Sequence, residues 1–233
     1  MIFDYFSLLY KKFFKKKISY SQGGIDLLLN YIFRNKKNGF YIDIGCNHPI
    51  KNNNTYLFYK KGWSGINIDL DKKNIDLFKL FRPRDKNINC AISSSDTEQN
   101  LFFYHDKSPI NTISKLAASY QNAKVKEIRK IKTQTLNSIL DNLNLENKQI
   151  DFISLDVEGH EFEVMKGLDL KKYKPQIIVL EYLDLTLKQL EIKNLNINNI
   201  LKSQIYLYLI EQNFSLVNWL HSDLVFVNNK FKD

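Results

Sequence analysis

The chain is poor in the residues that mark several common function classes. It has two cysteines, Cys46 and Cys90, and no Cys-x-x-Cys pair. That argues against a disulfide framework or a cysteine zinc site and makes a reducing cytoplasm the expected compartment. Its eight glycines include no Gly-x-Gly-x-x-Gly run, so no turn is bare enough for close approach to a dinucleotide pyrophosphate, and NAD or FAD is a poor fit. With four prolines and no low-complexity linker or repeat, a single domain with some elaboration is expected. No apolar run approaches the ~20 residues needed to span a bilayer. The first residues are apolar and aromatic with their lysines after them, which is the wrong order for a secretory signal.

What is present begins with charge. The balance is 34 basic against 25 acidic residues, a net +9, with lysines clustered at 11, 12, 15, 16 and 17. Ile2, Phe6, Leu9 and Phe13 recur at helical spacing, so residues 2–16 read as an amphipathic helix. Such a helix either packs its aromatic stripe on the domain with lysines in water, or touches an anionic membrane surface or acidic substrate. The excess of Lys, Asn and Ile resembles coding bias, which weakens any inference of nucleic-acid binding from charge. We expect a helical extension over 1–36 and one catalytic domain over 37–233.

Strands are expected at 40–45, 65–69 and 87–92, with helices between them at 53–61 and 72–81, stopped near Gly62 and Pro83. Residues 100–104 read as a short strand, 108–132 as a less regular polar insertion, and 135–143 as a helix. Two almost wholly apolar strands follow at 150–155 and 176–180, separated by a helix that starts near Glu161 and is stopped by Pro175. Such strands alternating with helices belong in a parallel sheet covered on both faces. A helix at 197–212 leads to an antiparallel hairpin, 214–219 and 224–228. The expected architecture is α/β, a Rossmann-like class I methyltransferase fold: a mostly parallel sheet, helices on both faces, and a C-terminal antiparallel hairpin.

Three places carry chemistry. In Phe40-Tyr-Ile-Asp-Ile-Gly-Cys-Asn-His-Pro49 a strand runs into a turn at Gly45, with Asp43 two residues earlier. A second strand ends on Asp69. A bare turn after the first strand and an acid after the second are how an adenosine-containing ligand is held, the acid accepting from ribose hydroxyls. With one glycine and no phosphate cradle, S-adenosylmethionine (SAM) is the expected cofactor, near Asp43, Gly45, Asn47 and Asp69, with Ile92 on the adenine edge. Asp43 can orient the loop or receive the ammonium of the cofactor. Asp71 is a weaker second candidate for the ribose and also a candidate helix cap.

The third place is Ser154-Leu-Asp156-Val-Glu158-Gly-His160-Glu161, which should project over the same sheet edge as Gly45. Asp156, Glu158 and His160 are the catalytic candidates, with Asp156 also placed near the cofactor, and Glu161 reads as a helix N-terminal acid. Glu181 should end the neighbouring strand beside Asp156. The pair could hold Mg²⁺ or Mn²⁺ or share hydrogen bonds to substrate hydroxyls.

YIDIGCNHP, the T-x-T-L-x-x-I-L run at 133–140, DFISLDVEGHE and the P-x-I-I-V-L-E run at 175–181 resemble FkbM-type SAM-dependent methyltransferases over roughly residues 38–185. The resemblance implies O-methylation, often of sugars, with SAM near Asp43, Gly45 and Asp69 and the reacting centre near Asp156 to His160. A sugar or nucleotide-sugar is the implied substrate, from a bacterial surface polysaccharide precursor. One departure is Cys-Asn-His-Pro after Gly45, where Ala-Asn-x-Gly is commoner; His48 and Pro49 either reshape the turn or bring a second histidine towards substrate. The competing readings are a nucleic-acid methyltransferase, against which the missing D/N-P-P-Y/F/W and Pro-Cys motifs argue, and an inactive SAM-fold scaffold. His160 is the expected general base, with Glu158 orienting it or the acceptor; metal activation by Asp156 and Glu181 is the rival. The 105–132 insertion, with His105, Asp106, Asn111 and Thr112, is expected to overhang the site.

Overall fold

The structure, a computed structural model, describes residues 17–183 and 196–232. The basic helix expected over 2–16 lies outside the described residues.

A seven-stranded sheet organises the molecule. In chain order its strands are β1 (Phe40–Ile44), β2 (Ser64–Asp69), β3 (Lys86–Asn89), β7 (Phe152–Leu155), β8 (Ile177–Glu181), β9 (Phe214–Leu220) and β10 (Asp223–Asn228). Three further strands, β4 (Ala91–Ile92), β5 (Glu98–Phe103) and β6 (Glu127–Gln134), form a small second sheet. The order in the main sheet is β3-β2-β1-β7-β8-β10-β9. The first five are mutually parallel, and β10 runs antiparallel between β8 and β9. This is the expected class I methyltransferase layout, including its closing hairpin. The order reverses between β1 and β7, so ligand-binding loops belong at the carboxyl ends of those two strands.

The central strands are apolar because both faces are covered. Ile42, Ile44, Ile153, Leu155, Ile178, Leu180 and Phe226 pack on one face with Leu136, Leu140, Val164, Met165 and Leu209. Tyr41, Phe152, Ile177, Val179 and Val225 pack on the other with Ile25, Leu29, Phe58 and Trp63. Adjacent residues of one strand thus fall on opposite faces, as the two-residue pleat requires. Ile25 and Leu29 belong to the helix Ile25–Ile32, which is therefore seated on the sheet.

Four expectations are corrected. The single strand read over 87–92 is two strands in different sheets: β3 pairs with β2, whereas β4 turns away after Cys90 to pair with β6. Its continuous sequence gave no sign of which partner each half would find. The polar insertion is regular, containing a helix at Lys115–Tyr120 and most of β6. The helix after Glu161 is broken into Glu161–Lys166 and Leu170–Tyr173. Gly167 lies at the break because a Cβ there would sit 2.4 Å from the Ser93 carbonyl oxygen, and Asp169 caps the second piece through the Lys171 and Lys172 amides. The helix read at 197–212 is likewise restarted by Ser203, which accepts from the Tyr206 amide.

Candidate active site

The ends of β1, β2, β4 and β7 open onto one cleft. Gly45 forms its floor at φ +72°, held by its amide donating to the Ile68 carbonyl at 2.9 Å. A Cβ at this position would lie 1.6 Å from the Asp156 carbonyl oxygen. The turn after β1 and the loop after β7 thus touch backbone to backbone, and only glycine admits that contact.

Asn47, Asp69 and Ile92 all line the cleft. The Asp69 carboxylate accepts from the Asn47 amide at 2.8 Å, the Asp71 amide at 2.7 Å and Asn74 Nδ2 at 3.3 Å. A carboxylate has about four lone-pair positions, so these three donors leave it able to accept from a ligand. Burial raises its pKa to about 6. Asp71 uses one oxygen to cap the next helix through the Lys73 amide and the other to accept from the Lys107 amide. The capping role is the one its contacts serve.

Asp43 stands behind the turn, outside the cleft lining. It shares a sheet row with Asn67 and Ser154. Its Oδ2 accepts from Asn53 Nδ2 at 2.9 Å and Thr55 Oγ1 at 2.7 Å. Burial pushes its pKa up, opposed first by the Arg82 guanidinium. Arg82 is wholly buried; it donates to the Pro49 carbonyl, Thr55 Oγ1 and Asn53 Oδ1. Of the two roles expected of Asp43, its contacts serve loop orientation. Arg82 was not identified from sequence: an arginine ahead of a proline at a helix end carries no signal of burial. His48 does not reach the cleft either, because its Nδ1 accepts from the Ile50 and Lys51 amides, shaping the turn.

Across the cleft, Asp156, Glu158 and His160 share the same lining. Glu158 and Gly159 have positive φ, +55° and +85°, so the loop after β7 turns sharply. Glu161 folds back and fastens it, its Oε1 accepting from the Val157 and Gly159 amides at 3.0 and 3.2 Å. Glu161 is thus the helix N-terminal acid expected, and it closes the loop as well. Burial raises the Glu161 pKa to about 7.

His160 is buried, and its Nε2 lies 3.0 Å from Ser93 Oγ, which also accepts from Gln99 Nε2 at 2.8 Å. The orienting partner of His160 is therefore Ser93, not Glu158. Burial lowers the His160 pKa, which keeps the imidazole neutral at pH 7. Glu158 belongs instead to a carboxylate group: oxygens of Asp156, Glu158 and Glu181 lie within 4.8 Å of one another.

Although solvent reaches Asp156 through the cleft, protein crowds it closely enough that lost hydration is the main cause raising its pKa to about 6. Burial, then the charges of Asp156 and Glu161, raises Glu158 to about 8. Burial, then Asp156, raises Glu181 well above the carboxylate range. Asp223, which faces Glu181 across the β8–β10 pair, rises to about 7 for the same two reasons. Asp223 was also missed, since only the hairpin register brings it here.

A family model described as the Methyltransferase FkbM domain matches residues 43–214, most of the chain. The chain belongs to the FkbM methyltransferase family. Membership supports a SAM-dependent methyltransferase, and the bare Gly45 turn beside the Asp69 carboxylate on one cleft fits a cofactor with an adenosine half. No curated protein sequence matches significantly. Among solved structures, monomeric WbdD superimposes with TM-score 0.44 at 13% identity, covering 95% of this chain and 44% of that one. A TehB-like SAM-dependent methyltransferase from Corynebacterium glutamicum gives TM-score 0.42 at 11% identity, covering 97% of this chain and 96% of that one. At that level of likeness neither speaks to the substrate of this FkbM chain. Its T-x-T run is structural: Thr133 Oγ1 donates to the Ser95 carbonyl, and Thr135 caps the next helix.

Proposed function

We propose that the protein is a SAM-dependent O-methyltransferase acting on a hydroxyl of a sugar or nucleotide-sugar, of the kind that feeds a bacterial surface polysaccharide. The observation that carries this reading is one cleft joining a nucleoside-type half, Gly45 and Asp69, to a proton-accepting half, Asp156, Glu158 and His160. The sugar class comes from the motifs shared with the FkbM family. SAM supplies an electrophilic methyl group when bound, and the acceptor oxygen must be aligned with it and relieved of its proton.

In this reading Asp69 accepts from the ribose hydroxyls. Neutral His160, held by Ser93, takes the proton from the acceptor, and Asp156 and Glu158 hold neighbouring substrate hydroxyls. Asp69→Ala should weaken S-adenosylhomocysteine binding by about 10–100-fold, the loss of charge-assisted hydrogen bonds, as read by calorimetric titration. Undiminished affinity in the variant would remove Asp69 from the cofactor site. The acceptor class is tested by methyl transfer to a panel of nucleotide-sugars and to RNA. Transfer to RNA alone would overturn the sugar reading, and no SAM binding by the folded wild type would favour a scaffold.

A second reading is favoured by one specific observation. Glu181 Oε2 is buried without a hydrogen-bond donor, next to the converging oxygens of Asp156 and Glu158. A hard divalent cation such as Mg²⁺ or Mn²⁺ would satisfy all three and lower the pKa of an acceptor hydroxyl.

The pH dependence of stability tests the charge state of this cluster. Carboxyl groups whose folded pKa is raised stabilise the fold below their unfolded pKa, and that stability is lost as pH rises through the folded values. For Asp156, Asp223 and Glu158 the folded values are about 6, 7 and 8. The melting temperature of the ligand-free protein should therefore fall between pH 5 and about 9, less steeply in Glu158→Gln. If a cation binds there, millimolar MnCl₂ should restore stability at the alkaline end. An unchanged melting curve with Mn²⁺ and activity that survives EDTA would leave His160 as the activating group.

A further inference from the structure

The segment between β5 and the helix Lys115–Tyr120 crosses the cofactor side of the cleft as a fastened strap. At one end the Lys107 amide donates to Asp71 Oδ2 at 2.5 Å, and Asp106 pairs with Lys73. At the other, Thr112 Oγ1 donates to the Glu158 carbonyl at 2.9 Å. Between these anchors Asn111 clips the loop to itself, its Oδ1 accepting from the Tyr104 amide and its Nδ2 donating to the His105 carbonyl, both at 2.9 Å. The strap is thus tied to the loop after β2 on one side and to the loop after β7 on the other.

Within this strap Ser108 stands out. Its residue is 5% exposed and lines the cleft. Its amide and carbonyl are used inside the loop, by the His105 carbonyl and the Asn111 amide. Its hydroxyl is buried with no partner. A buried hydroxyl left unpaired is costly, and such groups in folded proteins nearly always have a partner. Here every other polar group of the strap that the argument uses is satisfied within the protein, and the one that is not belongs to a residue lining the ligand cleft.

The position says which part of a ligand it would meet. The residue before Ser108 is bonded to Asp71, two places after the ribose acid Asp69, and Leu70 and Ile92 line the same region. That is the nucleoside end of the cleft, away from the carboxylate cluster that Thr112 approaches. We propose that Ser108 is a further cofactor-binding residue, its hydroxyl hydrogen-bonding the adenosine moiety and the strap acting as that moiety's cover; this rests on the SAM reading above. A serine hydroxyl both donates and accepts, so it suits either an adenine edge or a ribose hydroxyl.

The test is calorimetric titration of the full chain with S-adenosylhomocysteine and with 5′-methylthioadenosine, which carries the adenosine half without the amino acid. Ser108→Ala should weaken both ligands by the same factor, about tenfold. Its melting temperature without ligand should be unchanged or higher, since no protein hydrogen bond is lost. Ser108→Cys, similar in volume but with only a weak hydrogen-bonding group, should reproduce most of the loss. Equal affinity of wild type and Ser108→Ala for both ligands overturns the proposal. So does a loss confined to S-adenosylhomocysteine, which would place the contact on the amino-acid half, or full affinity in Ser108→Cys, which would make the effect one of packing. Wild type that binds neither ligand is a different result: it removes the SAM reading itself.

Discussion

Replacing His160 by alanine is expected to lower kcat by about 10²–10⁴-fold, the usual contribution of a positioned general base, while S-adenosylhomocysteine still binds. The two effects separate because the imidazole is held by Ser93, itself bonded by Gln99, whereas the end of the cleft proposed to take adenosine is built by Gly45, Asp69 and the strap. The pH profile gives an independent check. Burial lowers the His160 pKa, so a reaction that needs neutral His160 should lose rate only on the acid side, below the ordinary histidine range, and stay flat through neutrality. Full turnover in His160→Ala would sink the base assignment and transfer the role to the carboxylates of Asp156, Glu158 and Glu181. Their raised pKa values would then produce a rate that still climbs above neutrality.

Gly45→Ala should be the most damaging single methyl group in the cleft. Two costs combine. A non-glycine residue at φ +72° carries roughly 1–2 kcal/mol of left-handed strain. The new Cβ would overlap the Asp156 carbonyl oxygen at 1.6 Å, and that backbone cannot rotate away as a side chain can. Overpacking of this kind adds about 1–3 kcal/mol. The total lowers the melting temperature by on the order of 10 °C for a chain of this length. Relief requires the turn after β1 and the loop after β7 to part, which displaces Asn47 from Asp69 and Asp156 from Glu181 together. Binding of S-adenosylhomocysteine and turnover should both fall below detection. A variant with wild-type affinity would show that the two loops are not held in contact in solution.

Much of this site was legible in the residues. The pattern of one glycine after an apolar strand, an acid after the next and a cluster of acids and a histidine after a third follows from local rules: strands alternate faces, turns need bare backbone, and loops at the strand ends carry chemistry. Gly45, Asn47, Asp69, Ile92, Asp156, Glu158 and His160 come together in one cleft because those rules place them at neighbouring strand ends. Where reading failed, the deciding partner was distant in sequence. Arg82 reaches back to Pro49, Thr55 and Asn53, and Cys90 divides two sheets because β6, some forty residues later, captures β4.

The amino-acid sequence by itself determined the class of fold, the parallel core with its terminal hairpin, and the kinds of chemical group available at the sheet edge. Periodicity and turn chemistry are local properties that any short window of chain displays. Only the tertiary structure decided which groups face one another: Ser93 rather than Glu158 beside His160, Asp223 beside Glu181, Arg82 against the loop that follows Gly45, and the unpaired hydroxyl of Ser108 in the cleft lining. Those pairings depend on strand register and on where a long insertion folds back, and both are settled by packing across the whole sheet.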